Sequence, residues 1–192
     1  MALHLYFDYV DPASYLLELR VRGFWEPGTL SLSLHPFEVA PPPAELLDLD
    51  RGPWARHWEA MEDAAMGMEV PLTRPWIVPW SRKAHEMATM AREEGCFPEI
   101  HRALFRAYLL DGLDIGRVDV LVELARKNGM DPTATKVALD VDQYRAAVEW
   151  GREGALAVGV RRAPTILRED RRIEGYPDEK SLEELLGQSP DP

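Results

Sequence analysis

The stretch "YFDYVDPASYLLELRVRG", residues 6–23, joins a strand-like pattern directly to a helix-like pattern. Leu3–Tyr9 alternates and is rich in aromatic side chains, which is typical of a half-buried strand. Asp11 is a favourable N-cap residue, and Pro12 falls at the first helical position, where its missing N–H costs little. A strand that delivers Asp11 and Ser14 to a helix N-terminus indicates an α/β fold and marks this junction as a candidate site.

A second alternating stretch, Thr29–Val39, follows this helix closely. Strand, helix and strand in so few residues predict a βαβ unit with a right-handed crossover. The triple proline at Pro41–Pro43 ends the sheet pattern, and from Ala44 to about Gly159 the pattern is helical. The helices predicted there are Trp54–Ala65, Ser81–Glu94, Pro98–Leu110, Gly116–Asn128, Pro132–Leu139 and Val141–Ala157.

The C-terminal part returns to mixed structure. Two strands of a β-hairpin and a closing helix are predicted at Thr165–Arg168, Arg171–Glu174 and Asp178–Leu186. The element order is therefore βαβ, a helical block, then ββα. We predict a discontinuous α/β domain at residues 1–43 and 158–188, with an all-helical insertion domain at residues 44–157.

The charge balance argues against two classes of partner. The chain carries 22 Lys and Arg against 33 Asp and Glu, a net charge of -11. Nucleic acid and anionic membrane surfaces need a basic footprint, so neither is expected as a partner. No apolar stretch approaches the length of a membrane span. The N-terminal "MALHLYFDYV" lacks the basic region and long apolar core of a signal peptide, so a reducing, cytoplasmic location is expected.

Cys96 is the only cysteine, so the chain has no CxxC pair. Thiol–disulfide exchange needs a thiolate and a second thiol that resolves the mixed disulfide. Asp11 and Ser14 supply neither, which excludes dithiol redox chemistry at the strand–helix junction. Two interpretations of Cys96 stay open, a buried small hydrophobic residue or a reactive thiol.

The block order and several motifs resemble the DsbA family of thioredoxin-fold proteins. The matching text is "FDYVDPASYL", "HPFEVAPPP", "AHEMATMAREEG", "LFRAYLLDGLDIGRVDVLVELARKNGMD" and "AVGVRRAPTILREDRRIEGYPDEKSLEELL", which together cover nearly the whole chain. The sequence is most similar to the cytoplasmic FrnE-like branch, next to the kappa-class glutathione transferases and the 2-hydroxychromene-2-carboxylate isomerases. The resemblance implies a thioredoxin fold (βαβ…ββα) with an all-helical insertion.

The chain departs from this family at the active-site motif. FrnE-like and DsbA proteins carry Cys-Pro-x-Cys, and the transferase and isomerase branch carries Ser-Pro-x-Ser. Here the motif is Asp11-Pro12-Ala13-Ser14, which matches neither pattern. The late stretch "IEGYPDEKSLEEL" resembles the FrnE-like ending and lacks the aromatic-Gly-x-Asp-Arg signature of the glutathione branch.

Asp11 and Ser14 are the candidate catalytic residues. A helix N-terminus offers free N–H groups and a positive dipole end, which favour an anion. Asp11 is either a simple N-cap or a fixed charge where a thiolate would lie, and Ser14 either supports the cap or contacts a ligand. A glutathione thiolate would be repelled by the Asp11 carboxylate, unless that group is protonated or acts as a base on the thiol.

The resemblance also implies a ligand-binding turn late in the chain. It implies that Pro164 is cis and faces the helix start, flanked by Ala163 and Thr165. The backbone of Ala163 would then pair with an extended ligand such as a peptide or glutathione, or the turn would only maintain the fold. Pro12 and Tyr15 complete the expected ligand-binding set.

The histidines and the Trp and Met residues have weaker implications. The histidines show no metal-ligand spacing, so no metal site is predicted: His4, His35, His57, His85 and His101. His85 follows an Ala-His step of the family and is expected to make a structural hydrogen bond in the insertion. Seven residues form either helical core or the wall of an apolar cleft: Trp54, Trp58, Trp76, Trp80, Met61, Met66 and Met68.

Three functions remain in competition. The first is a DsbA-like protein that has lost disulfide chemistry and binds a small-molecule thiol or an extended peptide. The second is a glutathione-dependent isomerase or transferase that uses Ser14 and Asp11. The third is a non-catalytic peptide-binding or chaperone-like module. No resident cofactor is expected, glutathione is the candidate ligand, and the kappa-class resemblance implies a homodimer.

Overall fold

The computed structural model describes residues 2–23 and 31–187. Strands and helices follow one another in the order β1 (Ala2–Phe7), α1 (Pro12–Gly23), β2 (Ser31–Pro36), α2 (Gly52–Gly67), α3 (Arg82–Glu93), α4 (Phe97–Leu109), α5 (Val118–Lys127), α6 (Pro132–Asp140), α7 (Arg145–Ala157), β3 (Thr165–Arg168), β4 (Arg171–Glu174) and α8 (Glu179–Leu186). This order confirms the predicted α/β class and its helical block between the second and third strands.

The strands form one mixed sheet in the order β2-β1-β3-β4. β1 pairs with β2 in parallel, while β1 and β3, and β3 and β4, are antiparallel. The predicted start of the second strand at residues 29–30 lies outside the described residues. Its predicted end at Val39 is wrong, because the strand ends at Pro36 and the Val39 N–H donates to the Asp8 carboxylate (2.7 Å).

The sheet and the helical block share one hydrophobic core. Leu3, Leu5 and Phe7 of β1 belong to the same buried cluster as Met87 of α3 and Leu104 of α4. All five are at most 1% exposed. Burial of large apolar side chains is the main favourable term in folding, so this cluster fixes the helices over the start of α1.

Most predicted helix boundaries lie within two residues of those observed, and α7 is the main exception. It begins at Arg145 and not at Val141. Asp142 has a φ of 56°, in the left-handed region that a continuing helix cannot use. Within the described residues, no helix combines the length and apolar character that crossing a membrane requires.

A buried ion-pair cluster connects two of the helices to the segment after β2. Arg82 of α3 donates from Nε and Nη2 to the two carboxylate oxygens of Glu38 (2.8 Å each) and from Nη1 to Glu149 of α7 (2.6 Å). The Glu38 side chain is fully buried. A bidentate arginine pair at this depth fixes the relative position of α3, α7 and the sheet edge.

Candidate functional site

The candidate site begins with Asp11, at the junction of β1 and α1. Asp11 is fully buried, and its carboxylate accepts hydrogen bonds from the N–H groups of Ala13 (3.2 Å) and Ser14 (3.0 Å). Asp11 therefore caps α1, as its position predicted. The two backbone N–H groups that would attract an external anion are already bound to this carboxylate.

His57 was not selected from the sequence, yet it completes the site. Its Nε2 donates to Asp11 Oδ1 at 2.7 Å, across 46 residues of chain. The His57 side chain is 21% exposed, and the Trp54 ring lies beside it with centroids 5.0 Å apart. Because Nε2 carries the hydrogen of this bond, Nδ1 is the acceptor nitrogen of the neutral ring, and no described residue occupies it.

The Ser14 hydroxyl is hydrogen-bonded both as a donor and as an acceptor. Its Oγ donates to Asp11 Oδ2 (2.6 Å) and accepts from the Asp8 N–H (3.2 Å), and the residue is fully buried. A serine nucleophile needs an adjacent base that can take its proton. Here the carboxylate lies between the hydroxyl and the imidazole, unlike a Ser-His-Asp triad, so the geometry makes Ser14 a positioning group for Asp11.

A second Asp–His contact lies beneath the first. Asp8, at the end of β1, accepts from the Nε2 of His85 at 3.1 Å. His85 therefore makes a structural hydrogen bond, as expected, but to the strand end and not within the helical block. Through His57 and His85, α2 and α3 are both attached to the β1–α1 junction.

The turn before β3 supplies the remaining part of the site. The Ala163–Pro164 peptide bond is cis, and the Thr165 hydroxyl donates to the Arg162 carbonyl at 2.7 Å. Ala163 is buried, and its backbone N–H and C=O bind no other group in residues 2–23 and 31–187. This is the backbone segment that an extended ligand would use.

His57 and Ala163 line the same open groove, which has a volume of about 590 Å³. Trp54, Arg51 and Arg162 also line it. Neither arginine forms an ion pair with the described part of the chain. Two carboxylates, Glu45 and Asp48, line it as well. The groove therefore combines an imidazole, an aromatic ring, two cations, two anions and a free backbone segment.

The other predicted residues do not meet at this groove. Pro12 is buried in the first turn of α1. Tyr15 lies against Phe105 (ring centroids 5.3 Å apart) and lines a separate cavity between α1 and α4. The Trp and Met set does not form one wall, because Trp58 is fully buried whereas Trp76 is 73% exposed.

Cys96 lies just before α4, partly buried against the hydrophobic core. Burial raises the pKa of its thiol, and the nearby Glu94 charge raises it further. A thiol with a raised pKa is a poor nucleophile at neutral pH, which favours the structural interpretation. Within the described residues, no three His, Cys, Asp or Glu side chains are grouped so that they could hold a metal ion.

Solved structures with similar folds include a probable oxidoreductase, an isomerase and a disulfide reductase. A probable DsbA oxidoreductase from Streptomyces coelicolor superposes with a TM-score of 0.78 at 17% identity, covering 100% of this chain and 92% of the other. A 2-hydroxychromene-2-carboxylate isomerase superposes with a TM-score of 0.76 at 20% identity, covering 98% of this chain and 95% of the other. The cytosolic disulfide reductase DsbM from Pseudomonas aeruginosa, solved with GSH, superposes with a TM-score of 0.66 at 20% identity, covering 90% of this chain and 88% of the other. At these identities the likeness establishes the fold alone.

The sequence comparisons cover almost the entire chain. The uncharacterized protein YwbO of Bacillus subtilis (strain 168) is 25% identical over 197 residues, covering 97% of this chain and 96% of YwbO. The DSBA-like thioredoxin domain family matches residues 2–187. With its sheet order and helical block, the chain belongs to the DSBA-like thioredoxin domain family, and its single cysteine means that it has no CxxC pair.

Proposed function

We propose that this protein binds a small thiol such as glutathione, or an extended peptide, in the groove beside His57, without dithiol–disulfide exchange. The observation that carries the proposal is that His57 and the unpaired backbone of Ala163 line one groove. An extended ligand can pair with that backbone as an added strand does. A cytoplasmic location belongs to the proposal, because small thiols are kept reduced there.

The charged side chains of the groove suit a ligand that carries both carboxylates and an amine. Glu45 and Asp48 line the groove together with Arg51 and Arg162, and neither arginine forms an ion pair among the described residues. Guanidinium groups bind carboxylates through paired, charge-assisted hydrogen bonds. Glutathione and peptide C-termini both offer such carboxylates, and their extended backbones match the segment at Ala163.

His57 is the group that can act on a bound thiol. Asp11 holds its Nε2–H, which leaves Nδ1 as a base for the thiol proton. The products of that transfer are a thiolate and an imidazolium, and the imidazolium charge is balanced by the buried Asp11 carboxylate. Because the proton is taken up by His57, the repulsion between a glutathione thiolate and Asp11 is relieved.

A glutathione-dependent isomerase or transferase is the second candidate function. The Asp11–His57 pair favours it, because this chemistry needs a thiolate held in the site and His57 supplies the base. Ser14 would then orient Asp11 and would not itself contact the sulfur, since its hydroxyl is buried and already bonded on both sides.

Calorimetric titration with reduced glutathione and with S-methylglutathione tests binding, and the ultraviolet absorbance of the bound thiolate tests ionisation. We expect both ligands to bind wild type at micromolar to low-millimolar strength. His57→Gln should keep S-methylglutathione binding and lose the thiolate signal, whereas Asp11→Ala should weaken both. The matched control is His35→Gln, a partly buried histidine outside the groove.

Two outcomes would contradict these proposals at different levels. An absence of binding by either glutathione and by unstructured peptides would overturn the proposed ligand class. Binding of reduced glutathione with an equal thiolate signal in wild type and His57→Gln would keep the ligand class and remove the role of His57. In the latter case the isomerase or transferase candidate would lose its support.

A further inference from the structure

A second cavity, distinct from the groove, lies between α1 and α4. It encloses about 280 Å³ and shares no lining residue with the groove beside His57. Its apolar lining comes from Tyr15, Leu19, Phe105 and Leu110. This volume is at the lower end of the range for small-molecule sites, so the cavity suits a compact ligand.

The floor of this cavity is a closed hydrogen-bond network. His101 forms two hydrogen bonds, one between its Nδ1 and the Tyr9 hydroxyl (2.9 Å) and one between its Nε2 and Glu18 Oε2 (2.7 Å). Glu18 Oε1 accepts from Arg22 Nε at 2.8 Å. Both ring nitrogens of His101 and both carboxylate oxygens of Glu18 are therefore already hydrogen-bonded within the protein. The floor is for this reason poorly suited to bind a cationic ligand.

The cavity lining contains more arginines than carboxylates, on a chain whose net charge is -11. Among the described residues that line it are Arg22, Arg102 and Arg106, with Glu18 as the one carboxylate. Burial lowers the pKa of His101, which keeps that ring neutral at physiological pH. The lining therefore carries more cationic than anionic groups, and two of its arginines have their acidic partners just outside it.

Two of the rim arginines are held only loosely. Arg102 contacts Glu99 at 3.3 Å and Arg106 contacts Asp111 at 3.4 Å, and their side chains are 71% and 69% exposed. Exposed ion pairs of this kind contribute little. Each guanidinium has five N–H donors, so both arginines keep donors for a ligand carboxylate.

We propose that the α1–α4 cavity binds a small amphiphilic monoanion, an aromatic or short aliphatic carboxylate. Its carboxylate lies between Arg102 and Arg106 at the rim, and its apolar part packs on Tyr15, Phe105 and Leu19. The closed floor excludes a polar inner end, so the ligand has one charged group only. This site is independent of the thiol or peptide site proposed above.

The test uses 1-naphthoate as the probe and neutral 1-naphthamide as its uncharged counterpart, each titrated by calorimetry. We expect 1-naphthoate to bind the wild-type protein and 1-naphthamide to bind at least about tenfold more weakly. The double variant Arg102→Gln/Arg106→Gln should lose at least about tenfold in 1-naphthoate affinity, since it loses the charge-assisted hydrogen bonds. Both replaced side chains are exposed, so we expect this variant to fold as wild type does, and circular dichroism checks this.

The matched control is Arg117→Gln/Arg126→Gln. It also removes two positive charges, from arginines of similar exposure (60% and 59%) that pair with Asp119 and Glu123. It should bind 1-naphthoate as wild type does, and so should His57→Gln. Absence of 1-naphthoate binding, equal loss in both double variants, equal affinity for 1-naphthamide, or loss in His57→Gln would each overturn the proposal.

Discussion

At the scale of single residues, Asp11 differs from an ordinary helix cap in the number of groups it holds. It accepts from two backbone N–H groups, the Ser14 hydroxyl and His57 Nε2. Asp131 precedes α6 in the same Asp-Pro step, but among the described residues its side chain accepts only from the Ala134 N–H (2.8 Å). A comparison of Asp11 with Asp131 therefore distinguishes the effect of helix capping from that of the additional hydrogen bonds of Asp11.

We expect Asp11→Ala to lower the free energy of unfolding by about 2–4 kcal/mol, because it removes a cap and leaves buried donors unpaired. Asp131→Ala should cost only about 1 kcal/mol, the usual value for a cap. Urea unfolding followed by circular dichroism measures both. Equal losses in the two variants would show that Asp11 is a cap and nothing more.

His101 should make stability depend on pH. Burial lowers its pKa, although the hydrogen bond and charge of Glu18 act in the opposite direction. The unfolded chain therefore takes up a proton near pH ~6.5 that the folded chain resists. It follows that the free energy of unfolding falls as the pH drops from neutrality towards pH ~5, by up to about 1.4 kcal/mol per unit for this group.

We expect His101→Gln to be less stable than wild type near pH ~7 but to have a flatter dependence between pH ~5 and pH ~7. Urea unfolding at several pH values measures the two slopes. His35, whose pKa is also lowered by burial, is present in both proteins, so the difference between the slopes reports His101. Parallel curves would contradict this assignment.

At the scale of elements, Arg82 connects α3 and α7 to the segment after β2. Replacement by methionine keeps the bulk of the side chain and leaves the buried Glu38 carboxylate without its partner. We expect Arg82→Met to lower the free energy of unfolding by about 3–5 kcal/mol, as loss of one member of a buried pair does. Urea unfolding again provides the measurement.

The control for this prediction lies on α7. Arg145 also pairs with Glu149 (2.9 Å), but its side chain is 57% exposed. Arg145→Met should therefore lower the free energy of unfolding far less than Arg82→Met does. Adding Glu38→Met to Arg82→Met should recover much of the loss, because no unpaired charge remains. If the double variant is no more stable than Arg82→Met, the buried charge is not the cause.

The elements themselves were largely readable from the sequence, because their signals are local. The hairpin strands Thr165–Arg168 and Arg171–Glu174 were predicted with the observed bounds, and Glu169 at the turn has a φ of 56°. The cap at Asp11 was predicted for the same reason. The start of α7 was missed, because the left-handed residue Asp142 has no distinctive sequence signal.

Only the local part of the candidate site could be predicted from the sequence. Asp11 and Ser14 are three residues apart, so the helix geometry brings them together. His57 reaches Asp11 from 46 residues away, and only the packing of α2 against α1 decides that contact. Tyr15 was assigned to the ligand set by its place in the motif, yet its side chain points to the α1–α4 cavity.

At the scale of the whole molecule, this chain has the fold of the DSBA-like thioredoxin domain family and a single cysteine, so it has no CxxC pair. Wild type should therefore show no dithiol–disulfide exchange with a disulfide substrate. Asp11→Cys/Ser14→Cys places two thiols at the start of α1, one to attack and one to resolve the mixed disulfide. We expect this double variant to reduce insulin in the presence of glutathione, measured by turbidity, above the wild-type background.

Ser14→Cys alone provides the control. With a single thiol at the helix start, its thiolate should attack the disulfide of oxidised glutathione, release one reduced glutathione and stop at the mixed disulfide, which mass spectrometry detects. Activity of the single variant equal to that of the double variant would contradict the two-thiol requirement. Activity of wild type would show that Cys96 takes part, against its raised pKa.

The carboxylate, hydroxyl and imidazole that meet at the start of α1 also determine how this site withstands oxidants. Hydrogen peroxide converts cysteine thiolates to sulfenic and then sulfinic acids, and neither Asp11 nor Ser14 can follow that route. Cys96 lies apart from the groove, and its raised pKa keeps it mostly as the thiol. The binding proposed for the groove should therefore survive peroxide stress that inactivates a site dependent on cysteine thiolates.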